Sequence, residues 1–133
     1  MKFMLIQNYE STETTNEPLT KWAPEDAKAH IDFQIRLNEE LSERGELVEA
    51  QALTGPELAK VVVHDGEGTP VVTDGPFPEA KELLAGYRIV VVESPERAVE
   101  IAAETSAAPG PNGVPLRQRI EVREVMGTPG SDA

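Results

Sequence analysis

Residues 73–93 of this 133-residue chain read TDGPFPEAKELLAGYRIVVVE. The first ten positions combine turn formers, an aromatic residue and four charged residues, which is more specified chemistry than a plain surface turn requires. Residues 86–93 then carry the strongest strand signal in the chain, with β-branched residues at every position from Ile89 to Val92. The segment therefore predicts a specialised loop followed by an interior strand.

The remaining elements are predicted from hydrophobic periodicity and from residues that begin or end helices. Pro24, followed by two acidic residues, favours the start of a long helix, and Gly45 favours its end. Ser94 is the expected N-cap of a second helix, and residues 107–116, with three prolines and two glycines, are expected to be irregular. The helices are predicted at 24–44 and 95–105, and the strands at 2–7, 47–53, 59–64, 71–73, 86–93 and 120–125.

This order of elements predicts an α+β fold. Two helices separated by strands that can pair antiparallel match the ferredoxin-like, or split β-α-β, sandwich, here with a β-hairpin insertion. Helices on one face leave the other face of the sheet bare, and strand 86–93 is too apolar for a wetted face, so we expect a partner sheet. A single domain is expected over residues 1–126, followed by a flexible tail at 127–133.

Composition narrows the classes of function. With 12 basic and 24 acidic residues, the net charge of −12 argues against binding to nucleic acid or to anionic membranes. The absence of cysteine excludes disulfides and thiolate chemistry and fits a cytoplasmic location. Neither a membrane span nor a signal peptide is indicated, since the apolar runs are too short. The two histidines lie far apart in sequence and no phosphate-binding glycine motif is present, so we expect neither a metal nor a cofactor.

Residues 73–87 also resemble the signature of a known family. Thr73-Asp74-Gly75-Pro76-Phe77, Glu79, Lys81-Glu82 and Gly86-Tyr87 are similar to the T-D-G-P-F-x-E-x-K-E…G-Y pattern of the YCII-related family, in its DGPF-domain subgroup. The opening MKFMLI, His30 on the first helix, the helix end at 39–45 and the closing IEVR at 120–123 resemble the family as well. Common members have Cys-Pro after the second helix, where this chain has Thr105-Ser106, so no thiol acts there.

The resemblance implies a ferredoxin-like fold that forms a homodimer through its sheet faces, closing a dimeric α/β barrel. That arrangement would supply the partner sheet that the bare face requires. The resemblance also implies a His/Asp pair as a catalytic candidate and a functional link to an ECF-type (extracytoplasmic-function) sigma factor. The activity of the family is largely uncharacterised.

Three hydrogen-bonding side chains on the first helix are the leading candidates for function. His30, Gln34 and Asn38 lie one turn apart within an apolar arc that would face the core. Either they satisfy one another and the sheet, or they line a wet cavity in which His30 could act as a general acid or base near neutral pH. The other members of the arc are Ala27, Ile31, Phe33, Ile35, Leu37 and Leu41.

Asp74 is the second candidate. Asp-Gly-Pro is ordinary turn chemistry, in which the carboxylate bonds to its own backbone. Alternatively, Asp74 orients His30, or binds a donor group of the substrate, and a carboxylate beside the imidazole would hold its tautomer and raise its pKa. Sequence spacing alone leaves both readings open.

Three further residues are candidates for ligand binding, each with a structural alternative. Lys81 either belongs to a solvated charge network with Glu79 and Glu82 or supplies the counter-charge for an anionic ligand. Phe77 either anchors the core or stacks on a ligand, and Tyr87 is a packing residue with a polar end that could meet a ligand. The candidate set is thus His30 and Asp74 for catalysis, and Gln34, Asn38, Phe77, Lys81 and Tyr87 for ligand binding.

The sequence leaves open two functions of different classes. The first is a dimeric module with a binding, regulatory or accessory role, which holds a small molecule without turnover. The second is a small-molecule isomerase or lyase that uses His30 as general acid/base with Asp74 as its partner. Catalysis requires His30 and a carboxylate within hydrogen-bonding reach of one cavity, whereas binding does not.

Overall fold

The computed structural model describes residues 1–8, 19–55, 58–74 and 84–130 and confirms the α+β class. Four strands form an antiparallel sheet in the order β2-β5-β1-β6, and β3 and β4 form a separate two-stranded hairpin. The third main strand lies between the first two, as the split β-α-β plan requires, and the hairpin is inserted before it. The elements are β1 (Lys2–Asn8), α1 (Pro24–Glu43), β2 (Leu47–Ala52), β3 (Lys60–Val63), β4 (Val71–Asp74), β5 (Leu84–Val91), α2 (Pro95–Ser106) and β6 (Ile120–Glu124).

Both helices begin and end at the predicted residues to within two positions. Pro24 occupies the first turn of α1, and Gly45, just past its end, has a φ of +72°, which glycine adopts without strain. At the start of α2 the hydroxyl of Ser94 accepts a hydrogen bond from the backbone N–H of Arg97 at 3.3 Å. The Arg97 side chain also bonds Glu46 through two contacts of 2.9 Å, which ties α2 to the start of β2.

The core lies between the sheet and the two helices. It is built from alternate residues of β1 and β5, from α1 and from the buried apolar residues of α2. Burying each leucine of this core contributes about 2 kcal/mol. The buried apolar residues of the cluster are Phe3, Leu5, Leu37, Leu41, Val90, Val92, Ala98, Ile101 and Ala102.

One part of the predicted core-facing arc of α1 is wrong. Ile31 and Ile35 are 46% and 50% exposed, while Leu37 and Leu41 are buried. The helix is rotated so that the row His30, Gln34 and Asn38 turns towards the sheet, and this rotation moves the two isoleucines to its outer edge.

The two faces of the sheet differ because side chains alternate along each strand. The register pairs Phe3 with Val90 and Leu5 with Arg88, and these residues point towards the helices. The residues between them point the other way and form what we call the open face: Met4, Ile6, Tyr87 and Ile89. Glu49, Glu121 and Arg123 flank the open face on the neighbouring strands.

The inserted hairpin is apolar on both sides. Val62 pairs with Val72, and Val63 pairs with Val71, so valines occupy both faces of this two-stranded unit. All of its five valines are exposed. A two-stranded hairpin is marginally stable in water by itself. An exposed apolar surface of this kind is typical of a surface that packs against another protein or another part of the same protein.

Candidate functional site

A group of polar side chains lies between α1, β5 and α2. We call it the polar cluster, and its centre is Arg88 of β5, which is only 4% exposed. Its other members are His30, Gln34, Asn38 and Thr105.

Neutral acceptors surround the Arg88 guanidinium. Nε donates to Asn38 Oδ1 at 2.7 Å, and Nη2 donates to Gln34 Oε1 at 2.5 Å and to the Gln34 carbonyl at 3.4 Å. Nη1 makes a longer contact of 3.4 Å with the hydroxyl of Thr105. Gln34 and Asn38, two of the three candidate residues on α1, are therefore held by an arginine some 50 positions further along the chain.

His30 lies at the edge of the polar cluster and is bonded through both ring nitrogens. Nδ1 is 3.0 Å from the carbonyl oxygen of Pro109, which only accepts, so Nδ1 carries the proton. Nε2 faces the amide nitrogen of Gln34 at 3.4 Å. The ring of Trp22 stands edge-on to the imidazole, with centroids 5.5 Å apart.

Burial governs the protonation of both cationic groups. The pKa of His30 is lowered mainly by burial and also by the positive charge of Arg88, against an opposing contribution from the bond to Pro109. Burial lowers the pKa of Arg88 to about 10, which leaves it charged at neutral pH. The polar cluster therefore combines a cationic guanidinium with a neutral imidazole.

The charge of Arg88 has no carboxylate partner among residues 1–8, 19–55, 58–74 and 84–130, since none of their acidic groups comes within 4.0 Å. Within the same ranges, no group of three acidic or histidine side chains could hold a metal ion. Neutral hydrogen bonds alone thus stabilise this buried cation in the described part of the chain.

The structure separates the two candidate catalytic residues. Asp74 is at the end of β4, where its carboxylate accepts a hydrogen bond from Lys60 at 2.7 Å, and both side chains are largely exposed. His30 contacts Pro109, Gln34 and Trp22 instead. Within the described chain, His30 and Asp74 form no hydrogen bond.

The ligand-binding candidates are also divided. Gln34 and Asn38 join the polar cluster, whereas Tyr87 lies on the open face, where partial burial and the negative charge of Glu49 raise its pKa. Phe77 and Lys81 lie outside the described residues.

Sequence reasoning missed Arg88, although a signal was present. Arg88 is a charged residue within an apolar strand, two positions before the buried Val90 and therefore on the same side. Thr105 is buried beside the apolar residues of α2, and its contact with Arg88 was not predicted from the sequence.

These features define a split β-α-β domain with a buried polar cluster. The sequence matches the YCII-related domain over residues 1–125, so the chain belongs to the YCII-related family. No functionally curated protein matches the sequence significantly. None of the helices in the described part of the chain is long and apolar enough to cross a bilayer.

Proposed function

We propose that this protein is a homodimeric small-molecule-binding module with a regulatory or accessory role, of the DGPF subgroup, whose ligand site is built on the polar cluster. The observation that carries the proposal is Arg88, a buried guanidinium held by neutral acceptors. Burying such a group is unfavourable, and a packed core does not need it. Its presence beside a histidine is more typical of a site that meets a ligand.

The dimer forms through the open face. Met4, Ile6 and Ile89 are apolar side chains at the centre of the four-stranded sheet, on the side away from both helices. Packing this face against the same face of a second copy removes apolar surface from water and closes the α/β barrel. The exposed valine hairpin adds further apolar surface for the same assembly.

The ligand is a small, oxygenated, weakly acidic molecule. The positive field of Arg88 favours negative charge nearby, in a protein whose net charge of −12 otherwise repels anions. We assign Lys81 to this site as a second cation and Phe77 as an apolar contact. Tyr87 lies on the open face, on the other side of the sheet from Arg88, so it does not line a site built on the polar cluster of the same chain. The assignments of Lys81 and Phe77 remain predictions.

A thermal-shift screen tests this proposal. Small hydroxy acids such as glycolate and lactate, other carboxylates, and the matched neutral amides are added to the purified protein. We expect some acids, and none of their amides, to raise the unfolding temperature, and we expect His30→Leu to abolish the rise.

His64→Leu is the matched control, because His64 lies on the exposed hairpin and bonds Gly68 within its own turn. An equal rise in wild type and in His30→Leu would place the ligand elsewhere.

The alternative is an isomerase or lyase in which His30 acts as the acid/base. The neutral imidazole favours the enzyme alternative, because its Nε2 lone pair can accept a proton. For the proposed Asp74 partnership, the carboxylate must leave Lys60 and reach His30 within the chain or across the dimer. Turnover that is lost in Asp74→Asn while ligand binding is retained would favour the enzyme over the binding module.

The cytoplasmic location and the link to an ECF-type sigma factor remain predictions from composition and from the family resemblance. Co-purification of the tagged full-length chain with a sigma factor from its own cells would test the link.

A further inference from the structure

The orientation of Gln34 is set by Arg88. A guanidinium has only donor hydrogens, so the group that faces it at 2.5 Å must be the amide oxygen of Gln34. The amide NH2 of Gln34 therefore faces the other way, towards His30 Nε2 at 3.4 Å. Reversing the amide would place two donors against the buried cation, which is strongly unfavourable.

The same chain of contacts restricts His30. Its Nδ1–H donates to the Pro109 carbonyl, and its Nε2 meets a donor, so the unprotonated form of Nε2 satisfies every partner. Protonating Nε2 would bring an N–H against the NH2 of Gln34, which cannot turn over without opposing Arg88. Among the described residues, Arg88 of β5 is the charged group whose positive charge lowers the pKa of His30.

We infer that Gln34, oriented by Arg88, is a positioning residue that keeps His30 unprotonated at Nε2, so that the ligand site presents an acceptor and not a donor at this atom. The 3.4 Å contact with Gln34 is long, so a ligand hydroxyl can replace it and donate to Nε2. This inference rests on the proposed ligand site, and it narrows the expected ligands to molecules that carry a hydroxyl donor. In any reaction at this site, His30 would begin as a base.

NMR of the ligand-free full-length protein tests the inference independently of any ligand. The chain has two histidines, so imidazole ¹⁵N spectra contain two assignable sets of signals. At pH 7.5 we expect His30 to have a protonated Nδ1 and an unprotonated Nε2. A protonated Nε2 in the wild type would overturn the inference.

Gln34→Glu supplies the second measurement. A carboxylate at this position accepts from Arg88 and from Nε2–H of a protonated His30, so the midpoint of the His30 titration should rise by about one pH unit or more. Asn38→Asp is the matched control, since it adds the same charge at Arg88 Nε, one turn away from the Gln34 contact. His64 signals should be unchanged in both variants.

The comparison of the two variants decides whether Gln34 acts by contact. A larger rise in Gln34→Glu than in Asn38→Asp supports the inference, and equal rises would show that the total charge of the polar cluster, and not Gln34, controls His30. If Gln34→Glu does not fold, the tautomer of His30 in the wild type is the measurement that tests the inference. Failure of the ligand screen would leave these outcomes unaffected, so the two proposals fail separately.

Discussion

The two sides of β5 differ in how their residues are held. The side that faces the helices carries the buried charged residue Arg88 beside the buried Val90, while the side that faces away carries Tyr87 and the apolar Ile89. In a monomeric domain the charged residue would be expected outside and the apolar residue inside. The proposed ligand site would account for the buried cation on one side of the strand, and the proposed dimer would account for the apolar residues on the other.

The buried side is restrained by specific bonds, whereas the open side depends on apolar area. Asn38 and Gln34 accept hydrogen bonds from two of the three guanidinium nitrogens, so a single substitution there disturbs a directional network. In the proposed dimer, Ile89 and Ile6 would contribute through surface removed from water, which is a non-directional effect. Changes on the two sides should therefore be detected by different measurements.

The largest expected effect is on the open side. Ile89→Arg introduces a charge at the centre of the proposed interface, where it would be desolvated without a partner. We expect the dissociation constant of the dimer to rise at least about 100-fold, as for an interface hot spot. Sedimentation velocity across a concentration series measures this change.

Val99→Arg is the control for that experiment, because Val99 is exposed on α2 and away from the sheet. A wild-type protein that sediments as a monomer, or an Ile89→Arg variant that dimerises as well as Val99→Arg, would contradict the proposed assembly and leave the open face unexplained.

The next effect is on the buried side. Asn38→Leu removes the acceptor of the 2.7 Å bond from Arg88 Nε and leaves a buried charged donor unpaired. We expect a loss of about 3 kcal/mol in the free energy of unfolding, measured by urea denaturation. Ile35→Ala, at an exposed position of the same helix, should change stability by less than about 0.5 kcal/mol. Equal losses in the two variants would mean that the polar cluster contributes nothing specific.

The pH dependence of stability should sharpen the same comparison. The pKa of His30 is lower in the folded state than its ordinary value of 6.5, so below that value the unfolded chain binds a proton that the folded chain does not. Stability should therefore fall as the pH drops from 7.5 to 5.5, with a slope of at most about 1.4 kcal/mol per pH unit from this group.

The part of the slope due to His30 should disappear in His30→Gln and persist in His64→Gln. Urea midpoints at several pH values would show it. The lowered pKa of Glu46 acts only at more acidic pH, since its ordinary value is 4.5, so it does not interfere in this range. A slope unchanged by His30→Gln would contradict the protonation state derived from the contacts of His30.

The smallest expected effect concerns Asp74. Its bond with Lys60 joins side chains that are 81% and 67% exposed, so Asp74→Ala should lower stability by less than about 1 kcal/mol, similar to Glu67→Ala. Urea denaturation of both variants, at a protein concentration above the dissociation constant of the proposed dimer, compares their stabilities. A loss of more than about 2 kcal/mol would indicate that the hairpin is covered in the assembly and that Asp74 has a buried partner there.

The elements of the fold could be predicted from the sequence, whereas the contacts of the site could not. Pro24, Gly45 and Ser94 mark helix ends because their effects act within one turn of backbone. The stripe of His30, Gln34 and Asn38 was identified from helical spacing, but its partner Arg88 was not. Identifying that partner requires the register of β5 against β1, which depends on residues distant in sequence.

The sequence by itself thus determined the α+β class, the order of its elements and the polar stripe, because these follow from local periodicity and from end signals. Only the tertiary structure decided that Arg88 supports the stripe, that Ile31 and Ile35 face outwards, and that Asp74 pairs with Lys60. These outcomes depend on how a helix rotates on its sheet and on which strand faces it. Such choices minimise the free energy of the whole packed chain, and no short segment encodes them alone.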